Sequence, residues 1–161
     1  MTGAGDPPKE GEGGPGSGEV FGPIDASALR EIRDLFVEQE PLVESASLDD
    51  PLNPQTISVE LTDGVGVASS ARFDVRWSLR GNYAVHYTDD QDRDFRFDRH
   101  PKPDAPTRHL HPPPEASTRP VEPSCITVTE PSLVIRAVLQ QWRDAYENGT
   151  FDVLYDSEDP P

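Results

Sequence analysis

Residues 71–98 carry the clearest hydrophobic pattern of the chain, an alternation of apolar and polar side chains in three successive runs. The apolar members are Phe73, Val75, Trp77 and Leu79, then Tyr83, Val85 and Tyr87, then Phe95 and Phe97. Successive side chains of a strand point to opposite faces of a sheet, and here short turns join the runs. The pattern therefore predicts an antiparallel meander with one buried face.

Helical spacing of apolar residues occurs on both sides of this meander. Asp25 is a suitable N-cap for a first helix, which ends at Glu40-Pro41 because the residue before a proline disfavours helical geometry. Pro131 fits the first turn of a second helix, and Asn148-Gly149 ends it. The predicted stripes are Ala28, Leu29, Ile32, Leu35 and Phe36 in the first helix, and Ile135, Val138, Leu139, Trp142 and Tyr146 in the second.

The remaining strand signals are short. Residues 56–61 alternate and predict one further strand, and residues 125–129 are a candidate for another. Residues 41–54 and 101–124 are interrupted by prolines and are predicted to be loops. We therefore expect an α+β fold, a four- or five-stranded antiparallel meander packed against an N-terminal and a C-terminal helix.

This single domain is expected to span residues 20–156. Residues 1–19 contain little besides Gly, Pro, Ser and acidic residues. Such a segment buries too little apolar surface to offset its ordering entropy, so it is expected to be a disordered acidic tail. Residues 157–161 have the same character and are expected to be a disordered C-terminal end.

Acidic residues dominate the charge of the chain, with 30 Asp and Glu against 14 Lys and Arg and a formal net charge of -16. Lys9 and Lys102 are the only lysines. At molar salt the Debye length is about 3 Å, so repulsion between surface carboxylates is screened while they keep the protein soluble. This composition is typical of a halophile.

The single cysteine, Cys125, excludes an intrachain disulfide and fits a reducing compartment. No run of about 18 apolar residues is present, and the N-terminus lacks the basic start and apolar stretch of a secretory signal. We expect a cytoplasmic protein without a membrane-spanning segment.

Alternation places a set of charged residues on the polar face of the meander: Arg72, Asp74, Arg76, His86, Arg96 and Asp98. A three-residue turn at 80–82 would put Arg76 opposite His86, and His86 would lie beside Arg96 or Asp94. Residues 71–119 also hold nine of the basic residues, eight of the acidic ones and all four histidines. This neutral-to-basic region of an acidic chain suits an anionic ligand such as an RNA phosphate, with Arg76, His86 and Arg72 as candidate substrate-binding residues.

His109-Leu110-His111 is the most specific candidate for chemistry, because residues i and i+2 of an extended segment point the same way. His100 follows directly on residues 96–99 and could join the two imidazoles. Cleavage of RNA by its own 2′-hydroxyl needs a base, an acid and a cation, which two histidines and Arg96 can supply. Alternatively, His100, His109 and His111 with Asp98 could bind zinc or another divalent metal. A third interpretation is that the histidines serve packing or solubility.

The strand pair at 71–87, the Arg96-Phe97-Asp98 step with His100 just after it, and the later His109-Leu110-His111 together resemble the TumE-type toxin family of prokaryotic toxin–antitoxin pairs. The resemblance covers roughly residues 56–148. It implies a compact α+β protein that is partnered with a helix-turn-helix antitoxin and acts on RNA. It also implies a candidate site of Arg96, Asp98, His100, His109 and His111.

We therefore expect the toxin-like component of a toxin–antitoxin pair, which cleaves or binds RNA without a cofactor and, as an enzyme, would be a metal-independent endoribonuclease. In that hypothesis His109 and His111 are the acid and base, Arg96 contacts the phosphate, and Asp98 orients a histidine. The alternative is a non-catalytic protein- or metal-binding module of a halophile.

Overall fold

A computed structural model of the chain describes residues 21–101, 103 and 105–155. The two terminal segments that the sequence predicts to be disordered, 1–19 and 157–161, lie outside the described residues. None of the helices within the described ranges is both long and apolar enough to cross a lipid bilayer.

The fold is a seven-stranded antiparallel sheet with two long helices, and the strands neighbour one another in the order in which they occur along the chain. The helices are α1 (Ala26–Gln39) and α2 (Pro131–Asn148), followed by a short 3₁₀ helix (Phe151–Tyr155). The strands are β1 (Val43–Leu48), β2 (Ile57–Leu61), β3 (Ala71–Trp77), β4 (Tyr83–Asp89), β5 (Asp94–Arg99), β6 (Arg108–His111) and β7 (Glu122–Pro123). The predicted α+β class and meander are confirmed, but the prediction of four or five strands is wrong.

Both helices begin and end where the sequence predicts. The Asp25 side chain accepts a hydrogen bond from the Ala28 backbone N–H at 3.0 Å, which satisfies one of the free donors at the start of α1. Helix α1 ends at Glu40, whose own N–H donates to the Phe36 carbonyl. Gly149 caps α2 in the left-handed region, with φ of 71°.

The core lies between one face of the sheet and the two helices. Phe73 of β3 is its centre: its ring centroid lies 5.5 Å from that of Phe36 on α1 and 6.1 Å from that of Trp142 on α2. Trp77, Tyr83 and Tyr87 are buried on the same face, as alternation predicts. Fully burying one such apolar side chain stabilises the fold by roughly 1.5–3 kcal/mol, so this face holds the sheet against both helices.

The three strands that the sequence does not predict, β1, β6 and β7, lie in the segments predicted to be loops. Strand β1 pairs with β2, and β6 pairs with β5, so both extend the meander outward. The candidate strand at 125–129 is not formed, although Ile126 is fully buried. Cys125, beside it, is half-buried.

The β3–β4 connection is longer than the predicted three-residue turn. Trp77 pairs with Tyr83, which leaves the five-residue loop 78–82, and the Ser78 N–H donates to the Asn82 carbonyl at 2.8 Å. Arg76 therefore lies opposite Ala84 rather than His86, and His86 lies opposite Asp74. Leu79, predicted to face the core, is 66% exposed because its backbone leaves β3 and donates to the Pro23 carbonyl instead.

Candidate functional site

Two histidines lie on either side of an arginine in a line that crosses three strands of the polar face. His86 of β4 is the register partner of Arg96 of β5, and Arg96 is the register partner of His111 of β6. Directly opposite residues have Cβ atoms about 4.5–5.5 Å apart, so neighbouring side chains of this line are in reach of one another. We call these three residues the histidine–arginine row.

A buried carboxylate, Asp98, holds one end of the row. Its Oδ1 and Oδ2 accept from Nε of Arg96 at 2.8 and 2.9 Å, and its Oδ2 lies 3.1 Å from Nε2 of His111. The same oxygen lies 3.3 Å from Nε2 of His100 and 3.5 Å from Nε2 of His109. We call these five residues the Asp98 cluster; it joins all five residues of the predicted catalytic site.

The register of β5 and β6 explains how the cluster forms. Asp98 lies opposite His109, and Phe97 lies opposite Leu110, so the alternation that sends Phe97 and Leu110 into the core sends Asp98, His109 and His111 to the other face. The prediction that His109 and His111 point the same way is confirmed. The segment is an edge-proximal strand rather than a loop, which fixes their spacing.

Asp98 is only 1% exposed, yet its neighbours favour the ionised carboxylate. Burial opposes its charge most strongly, but the contacts from His100, His109 and His111 and the charge of Arg96 together outweigh burial and hold the pKa of the Asp98 carboxyl below its usual range. The hydrogen bond to Asp98 in turn raises the pKa of His100 above its ordinary value, against the opposing effect of burial. Nδ1 of His100 faces the Pro101 carbonyl at 3.1 Å, so both of its ring nitrogens face acceptors, as an imidazolium requires.

His109 is fully buried, and its ring is held from two sides. Its Nδ1 donates to the Pro106 carbonyl at 2.8 Å, which leaves Nε2 directed at Asp98 but without hydrogen-bond alignment. The ring centroids of His100 and His111 lie 4.9 and 5.0 Å from that of His109, both in edge-to-face geometry. His109 is thus packed between the other two imidazoles and has no path to a ligand outside the cluster.

His111 is placed where its proton can change partners. Nε2 lies 3.1 Å from Oδ2 of Asp98, an acceptor, and 3.0 Å from Nη2 of Arg96, a donor. A protonated Nε2 donates to Asp98, and an unprotonated Nε2 accepts from Arg96, so the site provides a partner for each state. Because protein groups partner Nε2 in either state, Nδ1 is the ring nitrogen that would exchange a proton with a ligand.

His86, at the other end of the row, has a carboxylate of its own. Its Nε2 lies 2.7 Å from Oδ2 of Asp94, and both side chains are partly exposed. Asp94 is positioned by the loop that follows β6, because its Oδ1 accepts from the Ala116 N–H at 3.0 Å and its own N–H donates to the Pro114 carbonyl at 2.8 Å. Each histidine of the row therefore contacts a carboxylate: His86 contacts Asp94, and His111 contacts Asp98.

The row opens into a cleft of about 350 Å³ between the sheet and the segment 116–121. His86, Asp94, Arg96 and His111 form its sheet side, and Arg119 lies on the opposite side. Within the described residues Arg119 is exposed and forms no ion pair with a carboxylate. The cleft thus presents two guanidinium groups, two imidazoles and the Asp94 carboxylate to a ligand.

Comparison with known families decides the class of protein. The model of the toxin TumE family matches residues 32–146, which is most of the chain and includes the row, the cluster and the cleft. The chain belongs to the TumE toxin family. It is therefore the toxin component of a toxin–antitoxin system and has an antitoxin as its partner. No protein of curated function and no solved structure matches the chain.

Two of the predicted substrate-binding residues of this TumE-family protein lie away from the cleft. Arg72 of β3 is paired with Asp74 at 2.9 Å, and Arg76 of β3 lies over the Phe21 ring, with its guanidinium carbon 4.5 Å from the ring centroid. The third, His86, lines the cleft. Asp94 was expected beside His86 but not as a site residue, and Arg119 was not predicted, because a loop residue has no periodic signal.

The TumE-family site also contains a donor set of the kind that binds a metal. Ligand atoms of Asp98, His109 and His111 lie within 4.8 Å of one another. The set fits zinc in donor type, since imidazole nitrogens and a carboxylate oxygen are common zinc ligands. However, the Arg96 guanidinium contacts both Asp98 and His111, and its positive charge beside these two ligands disfavours a second cation.

Proposed function

We propose that this toxin cleaves RNA through the histidine–arginine row, without a metal. One histidine of the row removes the proton of a ribose 2′-hydroxyl, and the 2′-oxygen forms a bond to the adjacent phosphorus. The bond from phosphorus to the 5′-oxygen breaks, and the other histidine protonates that oxygen. The products are a 2′,3′-cyclic phosphate and a 5′-hydroxyl, so atoms and protons balance.

The observation that carries this proposal is the order of the row, with Arg96 between His86 and His111 on adjacent strands. The reaction needs proton transfer on two sides of one phosphate, and a cation at the phosphate to stabilise the additional negative charge of the transition state. Neighbouring strands are about 4.8 Å apart, so the backbones that carry His86 and His111 are separated by about 10 Å, with Arg96 between them.

The remaining residues of the Asp98 cluster act through the row in this proposal. Asp98 binds the Arg96 guanidinium and gives His111 an acceptor, while His100 contacts the carboxylate and His109 packs between the other two imidazoles. The sequence-based hypothesis made His109 an acid or base. Its complete burial favours a positioning role instead, with His86 as the second proton-transfer residue.

Arg119 adds a second positive charge on the far side of the cleft. Because guanidinium groups bind phosphate by paired hydrogen bonds, Arg96 and Arg119 together favour an RNA backbone over an uncharged substrate. These two arginines place positive charge at the cleft even though the whole chain is strongly acidic.

The proposal also covers the type of antitoxin, the cellular compartment and the adaptation to salt. We infer that the antitoxin is of the helix-turn-helix type, that the pair acts in the cytoplasm, and that the acidic composition is an adaptation to high salt. The single cysteine and the net charge of -16 support the last two.

The test is cleavage of RNA in high-salt buffer by the purified protein and by three variants, His86→Ala, His111→Ala and Arg96→Gln. Each should lower the cleavage rate by about 10²-fold or more, the usual contribution of a positioned acid, base or charge donor. Arg30→Gln, which removes one exposed charge on α1, is the matched control and should leave the rate unchanged. Circular dichroism of each variant establishes that the fold is retained. Equal rates for wild type and His86→Ala would contradict the proposed row.

A metal-binding site is the second candidate function, and the convergence of Asp98, His109 and His111 supports it. It predicts one zinc per chain by elemental analysis after incubation with zinc and gel filtration, and a lower unfolding temperature with chelator. If the histidine–arginine row is the catalytic site, the rate of RNA cleavage should be the same with and without chelator. Cleavage that is abolished by chelator and restored by zinc would favour the metal site instead.

A further inference from the structure

Three side chains at one end of the sheet form a second group of hydrogen-bond donors, separate from the row. Tyr83 of β4 lies opposite Arg99 of β5, and Arg99 lies opposite Arg108 of β6. They alternate with the polar-face residues, so they belong to the other face of the sheet, at the point where the apolar core ends. We call them the tyrosine–arginine group.

The group places two like charges directly opposite each other, which is destabilising in a sheet. Within the described residues, neither Arg99 nor Arg108 pairs with a carboxylate. Arg99 is partly satisfied, since its Nη1 donates to the Arg80 carbonyl and to Oδ1 of Asn82 at 3.3 and 3.2 Å. The nearby carboxylate of Asp98 points to the opposite face and is bound in its own cluster.

Each member of the group also has a buried donor with no acceptor among the described residues: Nε of Arg99, Nε of Arg108 and the hydroxyl of Tyr83. Tyr83 is fully buried, and its ring is stacked on Trp77 with centroids 4.8 Å apart, so the hydroxyl cannot turn toward water. Burial raises the pKa of Tyr83 to about 12, which keeps the phenol protonated and able to donate. Three buried donors left unpaired cost free energy that a bound acceptor would recover.

We propose that the tyrosine–arginine group is a binding site for a phosphate group, distinct from the cleft. Two guanidinium groups match the charge of a phosphate dianion, and three donors from three strands match an anion with more than two oxygens. A carboxylate offers one charge and two oxygens, so it would leave the site partly unmatched. The phosphate is either free, as inorganic phosphate or a mononucleotide, or the terminal phosphate of an RNA end, because a backbone phosphodiester has only one charge and two free oxygens.

The experiment is a titration of the full-length protein with inorganic phosphate at constant ionic strength, followed by NMR of the arginine Nε–H resonances. Those of Arg99 and Arg108 report on this site, and that of Arg96 reports on the cleft. We expect the Arg99 and Arg108 resonances to shift and saturate. Arg108→Gln should weaken the binding seen at Arg99 by about tenfold or more, as expected for loss of a charge-assisted pair, and Arg30→Gln should leave it unchanged. Resonances of Arg99 and Arg108 that move with neither inorganic phosphate nor an oligoribonucleotide carrying a terminal phosphate would overturn the proposal.

A thermal unfolding series separates binding from a structural role of the same residues. Without phosphate, Arg108→Gln should be as stable as wild type or more stable, because it removes a like-charge contact; with phosphate, wild type should become the more stable. An Arg108→Gln chain that is less stable in both buffers would contradict the proposal. Tyr83→Phe, which keeps the ring stack and loses one donor, should weaken phosphate binding about threefold or more without changing the fold.

Adding an oligoribonucleotide in place of phosphate identifies the source. Shifts of the Arg99 and Arg108 resonances by an oligoribonucleotide with a terminal phosphate assign the site to an RNA end, and shifts by inorganic phosphate alone assign it to a free phosphate; either result supports the site. The proposal does not depend on RNA cleavage. His111→Ala should abolish cleavage and leave the phosphate titration of Arg99 and Arg108 intact, so the two proposals fail separately.

Discussion

Replacement of Asp98 by asparagine tests whether one buried carboxylate organises the site. Asparagine has nearly the same shape but no charge, so the change leaves the Arg96 guanidinium and the His100 imidazolium without their counterion. Removing one partner of a buried ion pair costs about 3–5 kcal/mol. Arg96 and His100 are partly exposed, with 36% and 28% of their side-chain surface accessible, so water offsets part of this loss. We expect the lower end of that range, about 3 kcal/mol.

For a chain of this length, about 3 kcal/mol corresponds to a fall of about 6–12 °C in unfolding temperature. The assay is thermal and urea unfolding of both chains, with Asp74→Asn as the matched control. Asp74 lies on the same face but is partly exposed and bound to a single arginine, so its replacement should cost about 0–1 kcal/mol. If Asp98→Asn cost no more than Asp74→Asn, Asp98 would not hold the cluster together, and the argument from its burial would be refuted.

The difference in free energy of unfolding between wild type and Asp98→Asn should also depend on pH. The folded pKa of Asp98 is lowered, so its contribution to stability is present above the unfolded value of about 3.9 and is lost as pH falls through the folded pKa. The folded pKa of His100 is raised, so its contribution is complete below about 6.5 and is lost as pH rises through the folded pKa. The difference should therefore be largest between about pH 4.5 and 6.5. A difference that kept growing above pH 8 would contradict these directions.

Three further predictions concern the fold. Gly149→Ala should cost about 1 kcal/mol in urea unfolding, because φ is 71° while no atom lies within 4 Å of the added Cβ; no change would show that the cap is not strained. Tyr87→Phe should cost about 2 kcal/mol, since its buried hydroxyl joins the Val65 N–H to Asp89, whereas the more exposed Tyr146→Phe should cost less. The unfolding temperature should rise by several degrees from about 0.2 to 3 M KCl as repulsion among carboxylates is screened, and a flat dependence would contradict the halophile proposal.

The sequence predicts the parts of the fold in which local signals and tertiary packing agree. The cap at Asp25, the left-handed Gly149 and the alternation around Phe73 each have a local cause, and all are confirmed. Strands β1 and β6 lack such a signal. They contain few alternating apolar residues and lie next to prolines, and their formation depends on a neighbouring strand that already exposes backbone donors and acceptors.

The site could be predicted as a set of residues but not as an arrangement. Alternation identifies Arg96 and Asp98 as polar-face residues, and the i, i+2 spacing identifies His109 and His111 as a pair. The depth of each residue depends on what covers it. His109 is buried while His111 reaches the cleft, because the surrounding loops cover one and leave the other accessible. The register of β3 and β4 likewise depends on Ser78, which is buried in the connecting loop and accepts a hydrogen bond from the Asn82 N–H through its Oγ. An alternation pattern does not predict such a loop contact.

Strand β6, which supplies the last residue of the row, has four residues and is bordered by the two-residue strand β7. Short elements at a sheet edge open at a lower free energy than the core does. Opening of β6 separates His111 from Arg96 while β3, β4 and their helices remain folded. We therefore expect the site to open and close without unfolding of the whole protein. Native-state hydrogen exchange should find the Leu110 amide less protected than that of Val85. During synthesis, the same geometry keeps the toxin incomplete until nearly all of its sheet has emerged from the ribosome.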